Sequence, residues 1–233
     1  MVYRIISSKL YTLILKINKK GVSELTLPQK LTEEYDMNKQ KLKTKDIITI
    51  TLLTLINVVI FYASSMLYMG AITIILMPVV LAIANSVVFF ILSAKIQKQG
   101  AILIYCVILG VLGSYLPWII CYIVAGIIAE IILAKAGYGN IKALTLSYVI
   151  IQVMAGFAST IYPYVVTAKR TFEGVDLATL DEKSKHIYEA SQMLISGGAV
   201  VVVIATIIAA LLGAFIGIRI MKKHLVAIKK SEN

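Results

Sequence analysis

Few residues of this chain have the type and spacing that chemistry demands. No paired-histidine zinc motif, Gly-rich phosphate loop or G-x-S-x-G elbow occurs, so no nucleotide site, catalytic set or metal site is expected. The two histidines, His186 and His224, are expected on opposite sides of a membrane and cannot share one ion. Glu130 is the one carboxylate inside a long apolar run, and an intramembrane carboxylate is costly and often functional. It either couples a conformational change or meets a partner subunit, or it is an interfacial side chain paired with Lys135 or Lys95. Aromatic residues gather where apolar runs end: Tyr68, Tyr115, Trp118, Tyr122, Tyr162, Tyr164 and, further on, Tyr188. They fit an interfacial aromatic belt. They also fit the wall of a small-molecule cup, to which Met69, Asn85, Gln152 and His186 would add soft or polar contacts. Asn85 and Gln152 fall inside apolar runs, where an amide needs a partner, and an interhelical hydrogen bond is the plainer reading.

The elements that hold these residues are set by hydropathy. The chain has 233 residues, 15% of them charged, and a mean hydropathy of +0.88. Ile47 to Ala94 is 48 residues without Asp, Glu, Lys or Arg, enough for two spans at roughly 20 residues each. Gln99–Ala134 carries Glu130 alone, and Ala143–Ala168 and Ala190–Ile218 carry no charge. In hydrocarbon each segment must satisfy its own backbone, so these runs are helices, and the short alternating segments of a transmembrane barrel are missing. The expectation is an all-α, multi-pass membrane protein with six transmembrane helices, at about 47–68, 71–94, 101–114, 117–134, 143–167 and 192–220. Pro78 is expected to kink the second. Gly113-Ser114-Tyr115-Leu116-Pro117 forms the turn after a short third. Cys106 and Cys121 read as small buried hydrophobes, with no disulfide framework.

The net charge of +11 does not point to nucleic acid, because the basic residues flank the spans. One set of segments holds thirteen of them: four in 37–46, two each in 95–100 and 135–142, and five after 218. The other set holds four: Lys169, Arg170, Lys183 and Lys185. This bias predicts a plasma-membrane protein with both termini in the cytoplasm. The segment from Lys169 to Ser191 is then a long outer loop, either a lid or a passive connector. Residues 1–36 stand apart, with an interfacial amphipathic pattern over Val2–Ile17 and a polar stretch over Gly21–Asp36. Translation from Met37 would omit them. On the last span Ala205, Ala209, Gly213 and Gly217 recur every fourth residue. Such a face packs against a neighbouring span or docks another membrane subunit.

The serial order of these features resembles a known group. Lys41-Leu42-Lys43-Thr44-Lys45-Asp46 leads into the first span, Leu76-Met77-Pro78 opens the second, and Ala125-Gly126-Ile127-Ile128-Ala129-Glu130-Ile131-Ile132-Leu133 lies in the fourth. Leu212-Gly213-Ala214 runs toward a basic Lys222-Lys223-His224 tail. Over residues 38–230 the chain resembles the Trep_Strep (MptD-type) group of substrate-binding S components of energy-coupling factor transporters. The resemblance implies a six-helix subunit, with no intrinsic cofactor, that captures a micronutrient from outside: a vitamin, haem or an iron chelate. It also implies delivery through a T component and two ATPase subunits, which would hydrolyse the ATP. S components commonly meet the T component through a small-xxx-small pair in the first span. Here Thr51 and Leu55 stand at that place, and Leu55 departs from the pattern. A competing reading is a ligand-free membrane accessory or assembly protein, which would need the packing ladder but no cup.

Overall fold

The fold was read from a computed structural model, which describes residues 41–64, 66, 69–113 and 115–231, with the side chains of Lys169, Leu177 and 223–231 outside the description. The N-terminal extension, Tyr68 and the His224 side chain therefore lie outside the described residues. All regular structure among the described residues is helical. The helices are α1 (Thr44–Ser64), α2 (Ala71–Lys95), α3 (Ala101–Leu112), α4 (Leu116–Ala136) and α5 (Ile141–Gly156). A π-helical stretch, Phe157–Thr167, prolongs α5. The short α6 (Ala168–Thr171) and α7 (Glu182–Met193) follow, and a second π-turn (Leu194–Gly198) leads into the long α8 (Ala199–Ser231).

Five helices are long and apolar enough to cross a bilayer, and α3 is a sixth, shorter apolar helix of 12 residues. At 1.5 Å per residue α3 extends about 18 Å, well short of a hydrocarbon core of roughly 30 Å. The third span expected at 101–114 is thus a short helix ending at Leu112. The first ends at Ser64 rather than near 68. The last was expected from 192, but regular α-helix starts only at Ala199. The break is at Gly197, whose φ of +111° is open to glycine and strained for other residues. Local signals set other ends. The Asn140 side chain accepts from the amides of Lys142 (3.0 Å) and Ala143 (3.3 Å), capping α5. Pro117 sits in the first turn of α4, where its missing N–H costs nothing.

The core gathers around α2, which packs on α1, α5 and most extensively α8; α3 packs on α4, and α4 on α5. In α2, 56% of the central window is buried, against 22% in α1. The outward face of α1, with Leu52, Leu55, Ile56 and Val59, is apolar and exposed, as a lipid-facing helix requires. Thr51 lies beside it with its hydroxyl donating to the Ile47 carbonyl at 2.9 Å.

Small residues let α8 approach α2. A methyl at Gly213 would lie 2.6 Å from the Ala82 carbonyl oxygen, and one at Gly217 2.6 Å from the Phe90 ring. Ala209 is buried in the same core and Ala205 is half-buried. At Gly213 and Gly217 the ladder thus meets a helix of the same chain, as the packing reading of that face expects.

The segment expected to be a long polar loop is largely helical. Ala190 and Leu194 join Ala71, Ile74, Tyr164 and Val202 in a small separate core beside the first turn of α2. Apolar burial, not charge, fixes its position.

Candidate functional site

Helices α1, α3 and α5 run toward the end of the bundle where Ser64, Ala71, Leu112, Leu116 and the α6–α7 segment lie. Helices α2, α4 and α8 start there. The basic segments lie at the opposite end. A partly open cavity of about 170 Å³ occupies the interior toward the first end. Five helices line it: α1 with Asn57, Val58, Phe61 and Tyr62; α2 with Pro78, Leu81 and Asn85; α3 with Leu109 and Leu112; α4 with Trp118 and Tyr122; α5 with Gln152, Ala155 and Gly156. Gly113 and Ser159 complete it.

One wall is aromatic. The Trp118 indole N–H donates to the Leu109 carbonyl at 3.1 Å, tying the α4 start to the α3 end. Its ring meets Phe61 edge-on (5.5 Å between centroids) and Tyr122 at a tilt (5.1 Å), the offset arrangements that aromatic quadrupoles favour. The indole lies directly over Gly113, where any Cβ would collide with it. Gly113 is thus a space requirement of the tryptophan.

The polar groups are amides. Asn57 is 1% exposed, Gln152 3% and Asn85 6%. Asn57 Nδ2 donates to the Tyr105 hydroxyl at 2.6 Å. Its Oδ1, and the Oδ1 of Asn85, are buried without a hydrogen-bond partner. Buried polar groups are nearly always satisfied, and each exception needs a reason. Ser147, Ser191 and Thr206 also have unpartnered hydroxyls, but none of these lines the cavity. No Asp, Glu, Lys, Arg or His lines it either.

Helical hydrogen bonding is interrupted beside the cavity. Pro78 removes one backbone donor within α2, and a methyl at Gly156 would sit 3.1 Å from the Pro78 Cβ, so α2 and α5 cross there. Just beyond Gly156 the α5 backbone loosens into the π-helical stretch that contains Pro163. Toward the basic end, beyond the lining residues Asn85, Leu109 and Gln152, lies a cluster of rings. Phe89 packs on Phe90 (5.3 Å), Tyr148 (5.0 Å) and Tyr105 (5.9 Å), and the Tyr148 hydroxyl donates to the Ala82 carbonyl at 2.5 Å. All four rings are fully buried.

Of the residues singled out in the sequence, the structure brings Asn85, Trp118, Tyr122 and Gln152 to one cavity. The others lie elsewhere. Met69 is 81% exposed. Tyr115 pairs with Tyr162, and Tyr188 with Phe172. Tyr164 is buried in the smaller core under α7. His186 contacts Glu189 at 3.5 Å on the surface of α7. The cup closed by the long loop is therefore replaced by a cavity within the bundle. Asn57 was missed, although an amide inside an uncharged apolar run is the signal that marked Asn85. Phe61, Leu81 and Ser159 carry no sequence signal that separates them from ordinary span residues.

Glu130 bonds within the chain, but not to a lysine. Its Oε1 accepts from the amides of Ile102 (3.0 Å) and Leu103 (3.1 Å), and its Oε2 from the Tyr138 hydroxyl at 2.6 Å. It thus caps the first turn of α3 from another helix, where a negative charge meets the positive end of the helix dipole. The expected pairing with Lys135 or Lys95 is not made; both oxygens accept from groups of the chain's own α3 and α4–α5 turn. Burial first, and the bond to Glu130 second, raise the pKa of the Tyr138 hydroxyl above that of an ordinary phenol. Nearby, Lys98 Nζ meets Asp46 Oδ2 at 2.6 Å, tying the α2–α3 turn to the start of α1.

A family described as hypothetical bacterial integral membrane protein (Trep_Strep) matches residues 44–226. The chain belongs to the Trep_Strep family. The matched stretch takes in every residue that lines the cavity of this Trep_Strep protein, and every helix that holds them. No curated protein and no solved structure matches the chain.

Proposed function

We propose that this Trep_Strep protein is the substrate-capturing S component of an energy-coupling factor importer. It would take a micronutrient from outside the cell and hand it on through a T component and two ATPase subunits. The observation that carries the reading is the cavity: five helices build it, aromatic and amide groups line it, and it stops short of the fully buried rings of Phe89, Phe90, Tyr105 and Tyr148. A cavity that ends at a packed core suits a subunit that holds one molecule and releases it only after a conformational change, not an open channel. The cavity lies at the end that the charge bias assigns to the outside. A ligand-free accessory protein would gain nothing from buried amides whose oxygens have no partner, each costing about 1–3 kcal/mol.

The test is purification of the tagged chain from its native membranes in mild detergent, with mass spectrometry of what co-elutes. The expected result is an integral membrane partner and two ATPases. Their absence, even after a shared ATPase module is co-expressed, overturns the importer reading.

A further inference from the structure

The chemistry of the cavity restricts what it can hold. It offers no charged side chain to balance an ionised ligand, and an uncompensated charge in such a setting is strongly disfavoured. It does offer three amides, and an amide pairs best with a group that both donates and accepts. Two of them, Asn57 and Asn85, carry buried oxygens that still need a donor. Both residues line the cavity, and the terminal χ2 of asparagine is broad, so its amide can adjust to a ligand. Opposite stands the aromatic wall, with Trp118 held in place by its bond to Leu109.

Size decides the rest. A cavity of about 170 Å³ is close to the roughly 150 Å³ apolar cavity that accepts benzene. That is room for about one ring and its substituents, not for the four linked rings of a porphyrin. No group of three His, Cys, Asp or Glu able to hold a metal ion occurs among the described residues.

We propose that the cavity takes a neutral, planar, single-ring molecule bearing an amide or lactam edge. The ring lies against Phe61, Trp118 and Tyr122, and the edge N–H groups donate to Asn57 and Asn85. Haem and iron chelates are thereby set aside as cargo. This assignment rests on the importer reading for its physiological meaning, but the cavity chemistry can be tested without it.

Trp118 is the only tryptophan of the chain, so indole fluorescence of the full-length protein in detergent reports on this wall alone. The probes are nicotinamide and uracil, their carboxylate-bearing counterparts nicotinate and orotate, and haemin. The expected result is a saturable emission change with a neutral ring, at least ~10-fold tighter than with its anion. Asn57→Leu and Asn85→Leu should each weaken it ~10-fold. A thermal melt confirms that each variant is folded; should Asn57→Leu fail to fold, Asn85→Leu and Gln152→Leu carry the test. Tighter binding of an anion or of haemin, no response to either neutral ring, or neutral binding indifferent to the variants overturns the proposal. Partner subunits that co-elute with a chain deaf to these probes sink the ligand class alone. Probe binding without such partners sinks the importer reading alone.

Discussion

Replacing Asn85 with leucine separates a binding amide from a structural one. Asn85 is 6% exposed, and its Oδ1 has no hydrogen-bond partner. An orphaned buried polar group costs about 1–3 kcal/mol, and an apolar group of the same shape removes that cost. Leucine repeats the Cγ branching of asparagine with bulkier methyls, and the cavity that Asn85 lines can take up the added volume, so little overpacking offsets the gain. Asn85→Leu should therefore make the ligand-free protein more stable by about 1–2 kcal/mol, while binding weakens about tenfold, or ~1.4 kcal/mol. Asn57→Leu provides the internal contrast. It removes the same kind of orphaned oxygen but strands the Tyr105 hydroxyl, which is fully buried and held at 2.6 Å by Asn57. The two terms offset, and Asn57→Leu should bring at most a small net change. The assay is equilibrium unfolding of both variants in the same detergent, by circular dichroism against denaturant. Destabilisation by Asn85→Leu of more than about 1 kcal/mol would refute the reasoning, because it would mean that the amide holds the helices together.

Substitutions at three further positions probe the scaffold. Glu130→Ala leaves the Ile102 and Leu103 amides without their acceptor, so it should cost about 1–2 kcal/mol in the same unfolding assay, with Glu130→Gln costing less. Gly213→Leu drives a side chain against the Ala82 backbone. It should cost about 1–3 kcal/mol or more, read as a lowered melting temperature and poor yield, with no effect specific to partner binding. Gly113→Val should push the Trp118 indole off its seat and break its bond to Leu109; the measurement is the emission maximum, expected to move to longer wavelength as the indole meets solvent.

The sequence by itself determined the class of the molecule. Long uncharged apolar runs leave the backbone no partner but itself, so helices of membrane-spanning length follow from Ile47–Ala94, Ala143–Ala168 and Ala190–Ile218. Trp118, Tyr122, Asn85 and Gln152 were also visible, because an aromatic at a span end and an amide inside one are uncommon enough to notice. Tertiary structure decided the rest. Whether a small-residue ladder meets its own chain or another depends on which helix lies across it, and for Gly213 and Gly217 that helix is α2. Glu130 gave no local sign that it would cap a helix beginning at Ala101, because the amides it accepts from lie in the first turn of α3, 28 and 27 residues back along the chain. The outer tyrosines and His186 shared the chemistry of the cavity residues but not their place. Hydropathy fixes how deep a residue sits along a span and says nothing of its direction around the helix axis. Only the packing of α1 to α5 around one another turned Asn57, Asn85, Gln152 and Trp118 toward a common interior.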